Sequence, residues 1–236
     1  MAAQSHPPVV VLDRDGTLNV DDKAIIASAD DWVPVPGALE AVARLNQAGW
    51  RVVVATNQSG LGRGLFDVAT MNAVHTKMHK MLAAVGGRVD AVFFCPHTRD
   101  DACDCRKPQP GLMHAISERF QVPLSEMAVA GNTVRHIQAG QAAGSPGHLL
   151  LVGKCAGYSA QNPPPDVPVG TQLHASLDAF VDPMCLWARN YTPVWTPLLT
   201  RYLRKQIPRV KPKPRFINRL HHNKPEAHLE KSAHTP

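Results

Sequence analysis

The sequence has no apolar run approaching the roughly 18 residues that a membrane-spanning helix needs, so no bilayer span is read from it. Residues 1–8 lack a basic segment followed by an apolar stretch, and no signal peptide is expected there. The cytoplasm is therefore the expected compartment. No even set of cysteines is available for a disulfide framework. The five are an odd number, and Cys95, Cys103 and Cys105 crowd together. In a reducing compartment that crowding favours metal over disulfide. Cys155 and Cys185 have no partner pattern and read as plain thiols. There is no internal repeat.

What is present suffices for a globular protein. The 236 residues are 44% apolar, which allows a sizeable core in one domain plus an extension, or in two small domains. The net charge of +6 hides an asymmetry. From Leu186 onward there are 11 Lys and Arg against 2 Asp and Glu. The body before it is mildly acidic, so the basic whole-chain charge says little about any site within it. We read residues 1–182 as the folded domain and residues 183–236 as a basic, proline-rich extension, expected to be poorly ordered. Its arginines interleave with Trp187, Trp195 and Tyr202, a composition that suits an anionic membrane surface or nucleic acid.

Short β-branched runs mark buried strands. Val9-Val10-Val11-Leu12, Val52-Val53-Val54-Ala55, Ala91-Val92-Phe93-Phe94, Met127-Ala128-Val129-Ala130 and Leu149-Leu150-Leu151-Val152 all read this way. Between them the pattern predicts helices from Pro36-Gly37 to near Gly49, over 68–84, over 111–120 and over 134–143. The methionines at 71, 78 and 81 fall on one face of the second and read as core. Alternating strands and helices predict an α/β fold, doubly wound around a mostly parallel sheet. Ligands in such folds bind beyond the carboxyl ends of the strands. Asp13, Thr56, Cys95 and Gly131 each stand where an apolar run ends, so four polar segments would meet at one sheet edge.

Asp13-Arg14-Asp15-Gly16-Thr17-Leu18-Asn19 follows the first run. Two carboxylates two positions apart on a bent strand end suit phosphoryl transfer. Asp13 can attack phosphorus and help hold Mg²⁺, while Asp15 protonates the leaving oxygen and then activates water. Cys95-Pro96-His97 and Cys103-Asp104-Cys105 supply three thiolates and an imidazole, the ligand set of a closed, structural Zn²⁺ site. Arg106-Lys107 follows directly, so the zinc loop would aim two cations at the strand ends.

These segments resemble the haloacid dehalogenase superfamily of phosphatases. Asp13-Arg14-Asp15 is similar to its nucleophile motif, Thr56-Asn57-Gln58 to its second motif, and Lys107 stands where its third supplies a lysine. Within it, the combination with Thr-Asn-Gln-Ser-Gly, Cys-Pro-His and Cys-Asp-Cys-Arg-Lys-Pro looks like the D-glycero-D-manno-heptose 1,7-bisphosphate 7-phosphatases. Histidinol-phosphate phosphatases are relatives with a similar zinc loop. Val20-Asp21 and the segment around Arg63 lie closer to the heptose group. Over roughly residues 8–182, the resemblance implies removal of the 7-phosphate during ADP-heptose synthesis for lipopolysaccharide. It implies Mg²⁺ for catalysis, Zn²⁺ for structure and a small phosphosugar substrate. Asp21, Thr56, Asn57, Gln58, Ser59, Arg63, Arg106 and Lys107 would contact substrate, and Asp13, Asp15 and Asn132 would hold Mg²⁺. A monomer is expected.

One segment departs from the resemblance. Where the family reads Gly-Asp-Lys followed closely by Glu-Asp, this chain has Gly131-Asn132-Thr133-Val134-Arg135-His136. Asn132 offers an oxygen without charge, and Arg135, with His136 if protonated, adds positive potential. Weakened Mg²⁺ binding is expected. A phosphosugar-binding protein with little turnover is one alternative reading, and a histidinol-phosphate or nucleic-acid end phosphatase is another.

Overall fold

The computed structural model describes residues 6–190, with side chains to Leu186. The basic extension expected to be poorly ordered spans residues 183–236. Its first eight positions are described and helical, and the rest, with the anionic partners expected of it, lies outside the described residues.

Among the described residues, six parallel strands form one sheet in the order β3-β2-β1-β4-β5-β6. They are β1 (Val9–Leu12), β2 (Arg51–Asn57), β3 (Ala91–Cys95), β4 (Met127–Gly131), β5 (Gly147–Leu150) and β6 (Gln172–His174). Alternation of side chains divides the core into two layers. Val10, Leu12, Val52, Val54 and Ala130 face one cluster. Val9, Val11, Val53, Ala55 and Val129 face the other. Because β1 is covered on both faces, all four of its residues are apolar and fully buried.

Helices α1 (Ala38–Gln47), α3 (Val68–Ala84) and α6 (Leu177–Asn190) cover the first face. Helices α4 (Gly111–Phe120) and α5 (Val134–Ala142) cover the second. A single turn, α2 (Ser59–Gly62), follows β2. The Asp67 carboxylate caps α3 by accepting from Thr70 N at 2.7 Å, meeting one of the helix's otherwise unpaired first-turn donors. Met71, Val74 and Met78 then fill the core as their spacing predicts, and Met81 packs half-buried beside them.

Two elements lie beyond the sequence expectation. The short edge strand β6 has no apolar run to announce it. Helix α6 continues past position 182, where the sequence reading ended the domain, to Asn190. Its Phe180 and Val181 are fully buried, and its Asp178 and Asp182 pair with Arg44 of α1. The fifth strand also begins earlier than its apolar run, at Gly147, because Gly147 is in register with Val129 of β4. Among the described residues, no helix is long and apolar enough to cross a membrane.

Candidate active site

The carboxyl ends of β1, β2, β3 and β4 lie side by side. Leu12 is in register with Val54 and Ala130, and Asn57 with Cys95. Asp13, just past β1, is held by its own backbone N–H, which donates to Ala130 O at 3.1 Å. The chain then closes a tight turn in which Arg14 O accepts from Leu18 N at 2.8 Å. Gly16, at φ +77°, supplies the left-handed position that this turn needs.

A cavity of about 190 Å³ opens over this edge. It brings together Asp13, Asp15, Asp21, Thr56, Asn57, Gln58, Ser59, Arg63, Arg106 and Lys107, all of them expected at the site. Lys23, Thr133, Arg135 and Lys154 line it as well. Lys154 pairs with Asp21. Arg63 lines the rim while its Nε donates to Ser59 O. Arg135 is exposed and also lines a second cavity of about 690 Å³ beside the zinc loop, shared with Arg106 and Lys107.

Lys107 occupies the centre of the charge arrangement. Its Nζ lies 2.7 Å from Asp13 Oδ1 and donates to Ala55 O at 2.7 Å and to His136 Nδ1 at 3.0 Å. Three partners use all three ammonium protons. Asp13 Oδ1 also accepts from Arg14 N at 2.9 Å, and Oδ2 from Thr133 Oγ1 at 3.1 Å. Burial alone would push the Asp13 carboxyl up, but the Lys107 charge, then the His136 ring and the hydrogen bonds from Lys107 and Arg14 N, together hold it below the ordinary value. Burial pulls Lys107 down, and Asp13 opposes that pull.

His136 would add positive potential only if protonated. Burial and the Lys107 charge bring its pKa down to about 3. At neutral pH it is uncharged, donating from Nε2 to Val11 O and accepting at Nδ1 from Lys107. It therefore adds no positive potential. Arg135 does, facing the cavity.

Two residues expected to touch substrate are engaged within the protein. The Asn57 amide is committed at both ends to the Lys107 main chain, accepting from its N and donating to its O at 3.1 Å each. Gln58 Nε2 donates to Asp15 Oδ2 at 3.1 Å and to Thr56 Oγ1 at 2.8 Å. The contributions of Arg14, His75 and Thr133 are absent from the sequence reading. Arg14 forks onto both oxygens of Asp15, and its Nη1 donates to His75 Nε2 on α3. No sequence pattern links positions 14 and 75. Arg14, lying inside the nucleophile segment, is the one that sequence could have flagged.

The oxygens expected to hold Mg²⁺ are those of the Asp13 carboxylate, the Asp15 main-chain carbonyl and the Asn132 amide. Asn132 is fully buried and, unlike Asp13 and Asp15, does not line the cavity. Its Oδ1 accepts from Thr17 Oγ1 at 3.4 Å, and its Nδ2 has no hydrogen-bond partner. A Cβ on Gly16 would sit 2.1 Å from that Nδ2, so the amide presses on the turn carrying Asp15. An orphaned buried polar atom marks a missing partner. The two ends of an amide are nearly the same shape, and exchanging them places an oxygen there. The donor set suits Mg²⁺ in its chemistry, all oxygens, with one negative charge fewer than a carboxylate would bring.

Cys95, His97, Cys103 and Cys105 bring their ligand atoms within 4.8 Å of one another. The Cys95–Cys103 and Cys103–Cys105 sulfurs are 3.7 and 3.5 Å apart. Thiolates at ~2.3 Å from a tetrahedral zinc stand ~3.8 Å apart, so the cluster has the size and chemistry of a Zn²⁺ site. Arg106 Nη1 donates to His97 O at 2.8 Å, which ties the loop to the cation beside the cavity.

A family model described as haloacid dehalogenase-like hydrolase matches residues 4–144. The chain belongs to the haloacid dehalogenase-like hydrolases. As such a hydrolase it is similar to the D-glycero-beta-D-manno-heptose-1,7-bisphosphate 7-phosphatase of Bordetella bronchiseptica. The two are 47% identical over 174 residues, spanning 74% of this chain and 96% of the relative. The Pseudomonas aeruginosa enzyme of the same name is 41% identical over 72% of this chain and 94% of its own length. The crystal structure of D,D-heptose 1,7-bisphosphate phosphatase from B. bronchiseptica, complexed with magnesium and phosphate, superposes with a TM-score of 0.72. That match has 46% identity and covers 76% of this chain and 99% of the other. This hydrolase thus contains nearly the whole length of such relatives, plus residues of its own.

Proposed function

We propose that this chain is a Mg²⁺-dependent phosphatase that removes the 7-phosphate of D-glycero-β-D-manno-heptose 1,7-bisphosphate. The observation that carries the reading is the pair Asp13 and Asp15 at the end of β1, facing a cavity walled by Lys107, Arg106 and Arg63. The relatives, named for that reaction, support the choice of substrate.

In this scheme an Asp13 oxygen attacks phosphorus in line as the phosphate–oxygen bond to the sugar breaks. The product is an aspartyl phosphate, and Asp15 gives its proton to the departing sugar oxygen. Asp15, now a carboxylate, takes a proton from water, which attacks the same phosphorus and frees Asp13 and inorganic phosphate. Lys107 balances the charge of Asp13 throughout, and Thr56, Ser59, Arg63 and Arg106 hold phosphate oxygens and sugar. Mg²⁺, held by Asp13, the Asp15 carbonyl and Asn132, would supply further charge neutralisation. The zinc cluster is structural in this reading. The phosphatase body extends through α6 and works as a cytoplasmic monomer.

A second reading keeps the binding and loses the turnover. The uncharged, fully buried Asn132 is the observation that favours it. Phosphate release from heptose bisphosphate, histidinol phosphate and an aryl phosphate, with Mg²⁺ titrated, separates the two. The phosphatase reading expects the heptose ester to be preferred and Asp13→Asn to abolish release. Phosphate release from no ester at saturating Mg²⁺ would leave the binding protein.

A further inference from the structure

Arg14 is one of the largest fully buried side chains in the molecule, 1% exposed. A buried guanidinium is tolerated only when its donors and charge are met. Nε donates to Asp15 Oδ1 at 2.9 Å, and Nη2 to Asp15 Oδ2 at 3.2 Å and to Gln58 Oε1 at 3.1 Å. Nη1 donates to His75 Nε2 at 3.3 Å. Gln58 closes the circuit, donating from Nε2 to the same Asp15 Oδ2 and to Thr56 Oγ1.

A two-pronged contact fixes the plane of a carboxylate, which a single point charge does not. Adjacent residues along a chain seldom meet in this way. Here the tight turn after β1 folds the Arg14 side chain back beside its neighbour's carboxylate. The Asp15 side chain is 29% exposed, and it lines the cavity. His75 stands on the buried face of α3 with Met71 and Met78. It offers Arg14 a neutral acceptor at the end away from the cavity.

We propose that Arg14, braced by His75 and joined by Gln58, is a positioning device that sets the plane and reach of the Asp15 carboxyl toward the leaving oxygen. The inference rests on the phosphatase reading and deepens it. It concerns the proton delivered to the leaving group, so it matters most for alkyl phosphates such as sugar esters, whose alkoxides leave poorly unprotonated. An aryl phosphate such as p-nitrophenyl phosphate leaves without that proton.

The test compares an alkyl sugar phosphate with p-nitrophenyl phosphate on the full chain. Arg14→Lys keeps the charge and loses the fork. Its kcat/KM on the alkyl ester, which reports the steps through departure of the sugar and not the later attack of water, should fall roughly 10²-fold, the size of a general-acid contribution, with a far smaller loss of kcat/KM on the aryl ester. Equal losses on both esters would mean a merely structural arginine and overturn the proposal. Should Arg14→Lys fail to fold, His75→Leu carries the same selective loss, and His75→Gln, which restores an acceptor, recovers it. Should the unaltered protein release phosphate from neither ester, the phosphatase reading fails separately. The clamp is then judged by the imidazole nitrogen resonances of His75 in Asp15→Asn. A shift supports the linked network, and unchanged resonances refute it.

Discussion

Lys107 Nζ stands 2.7 Å from Asp13 Oδ1, and both side chains are almost wholly buried. Removing one partner of such a pair leaves an uncompensated charge, at a cost of about 3–5 kcal/mol. Lys107→Met should lower the urea midpoint accordingly. It should also raise the Asp13 pKa, since the Lys107 charge is the largest of the effects that hold it down against burial. In the unaltered protein, that pairing stabilises the fold above the ordinary carboxyl pKa and is lost on acidification through the lower folded value. Lys107→Met should therefore lose its acid-side slope below about pH 4.

Asn132→Asp restores a charge under the turn at Gly16. Magnesium affinity, followed by calorimetry, should tighten about tenfold or more, since each factor of ten is only ~1.4 kcal/mol. Without the metal the same variant should melt earlier, because the new carboxylate is buried and lacks a cation. A variant with unchanged magnesium affinity would remove Asn132 from the ligand set.

Three buried imidazoles resist protonation. Burial takes His136 down to about 3, and His75 and His148 down to about 4. An unfolded chain takes these protons near pH 6.5 and the folded chain does not, so stability is complete above 6.5 and falls as the pH drops toward 4. The slope is at most about 1.4 kcal/mol per pH unit for each group. Urea midpoints from pH 8 to 4 should be flat and then decline, and His148→Gln should make the decline shallower.

Chelation should act on the zinc loop before the sheet. Cys95 ends β3, while His97, Cys103 and Cys105 are loop residues. Removing zinc, or making Cys103→Ser, should release the segment around Arg106. Amide exchange there should rise well before exchange in β1. Uniform protection after chelation would show that the cluster carries no metal.

Ending the chain after Asp182 should destabilise it, whereas ending it after Asn190 should do so far less. The shorter chain cuts α6 beside Phe180 and removes Met184, whose carbonyl accepts from Trp50 Nε1 at 3.3 Å. Thermal midpoints of the two chains make the comparison, and equal midpoints would show that α6 past Asp182 contributes nothing.

Much of this fold is legible because its core strands are covered on both faces. Such strands read as unbroken apolar runs, and β1 matches its run at both ends. Helix α3 matches as well, since Asp67 caps one end and the apolar stripe runs its length. The misses have local causes. Leu151 and Val152 are apolar because they pack on the core after leaving β5, so the run outlasts the strand. Pro183 reads as a helix breaker yet lies inside α6. At the site, residue types were legible and their pairings were not. In the fold His136 is a neutral acceptor beside Lys107, a contact across 29 positions that nothing in the sequence announces. Arg14 with His75 joins a loop to a helix far along the chain.

The placement of β1 also sets an order of assembly. It pairs with β2 on one side and β4 on the other, so the strand that presents Asp13 is made long before its second neighbour. At ribosomal rates of about 5–20 residues per second, several seconds separate Asn57 from Gly131. During that interval one edge of β1 has no neighbour and the aspartate has neither Thr133 nor His136 nearby. The nascent chain thus holds its nucleophile early but acquires the surrounding pocket only when β4 docks. A chaperone that shields apolar β1 through that interval would be guarding the future reaction centre.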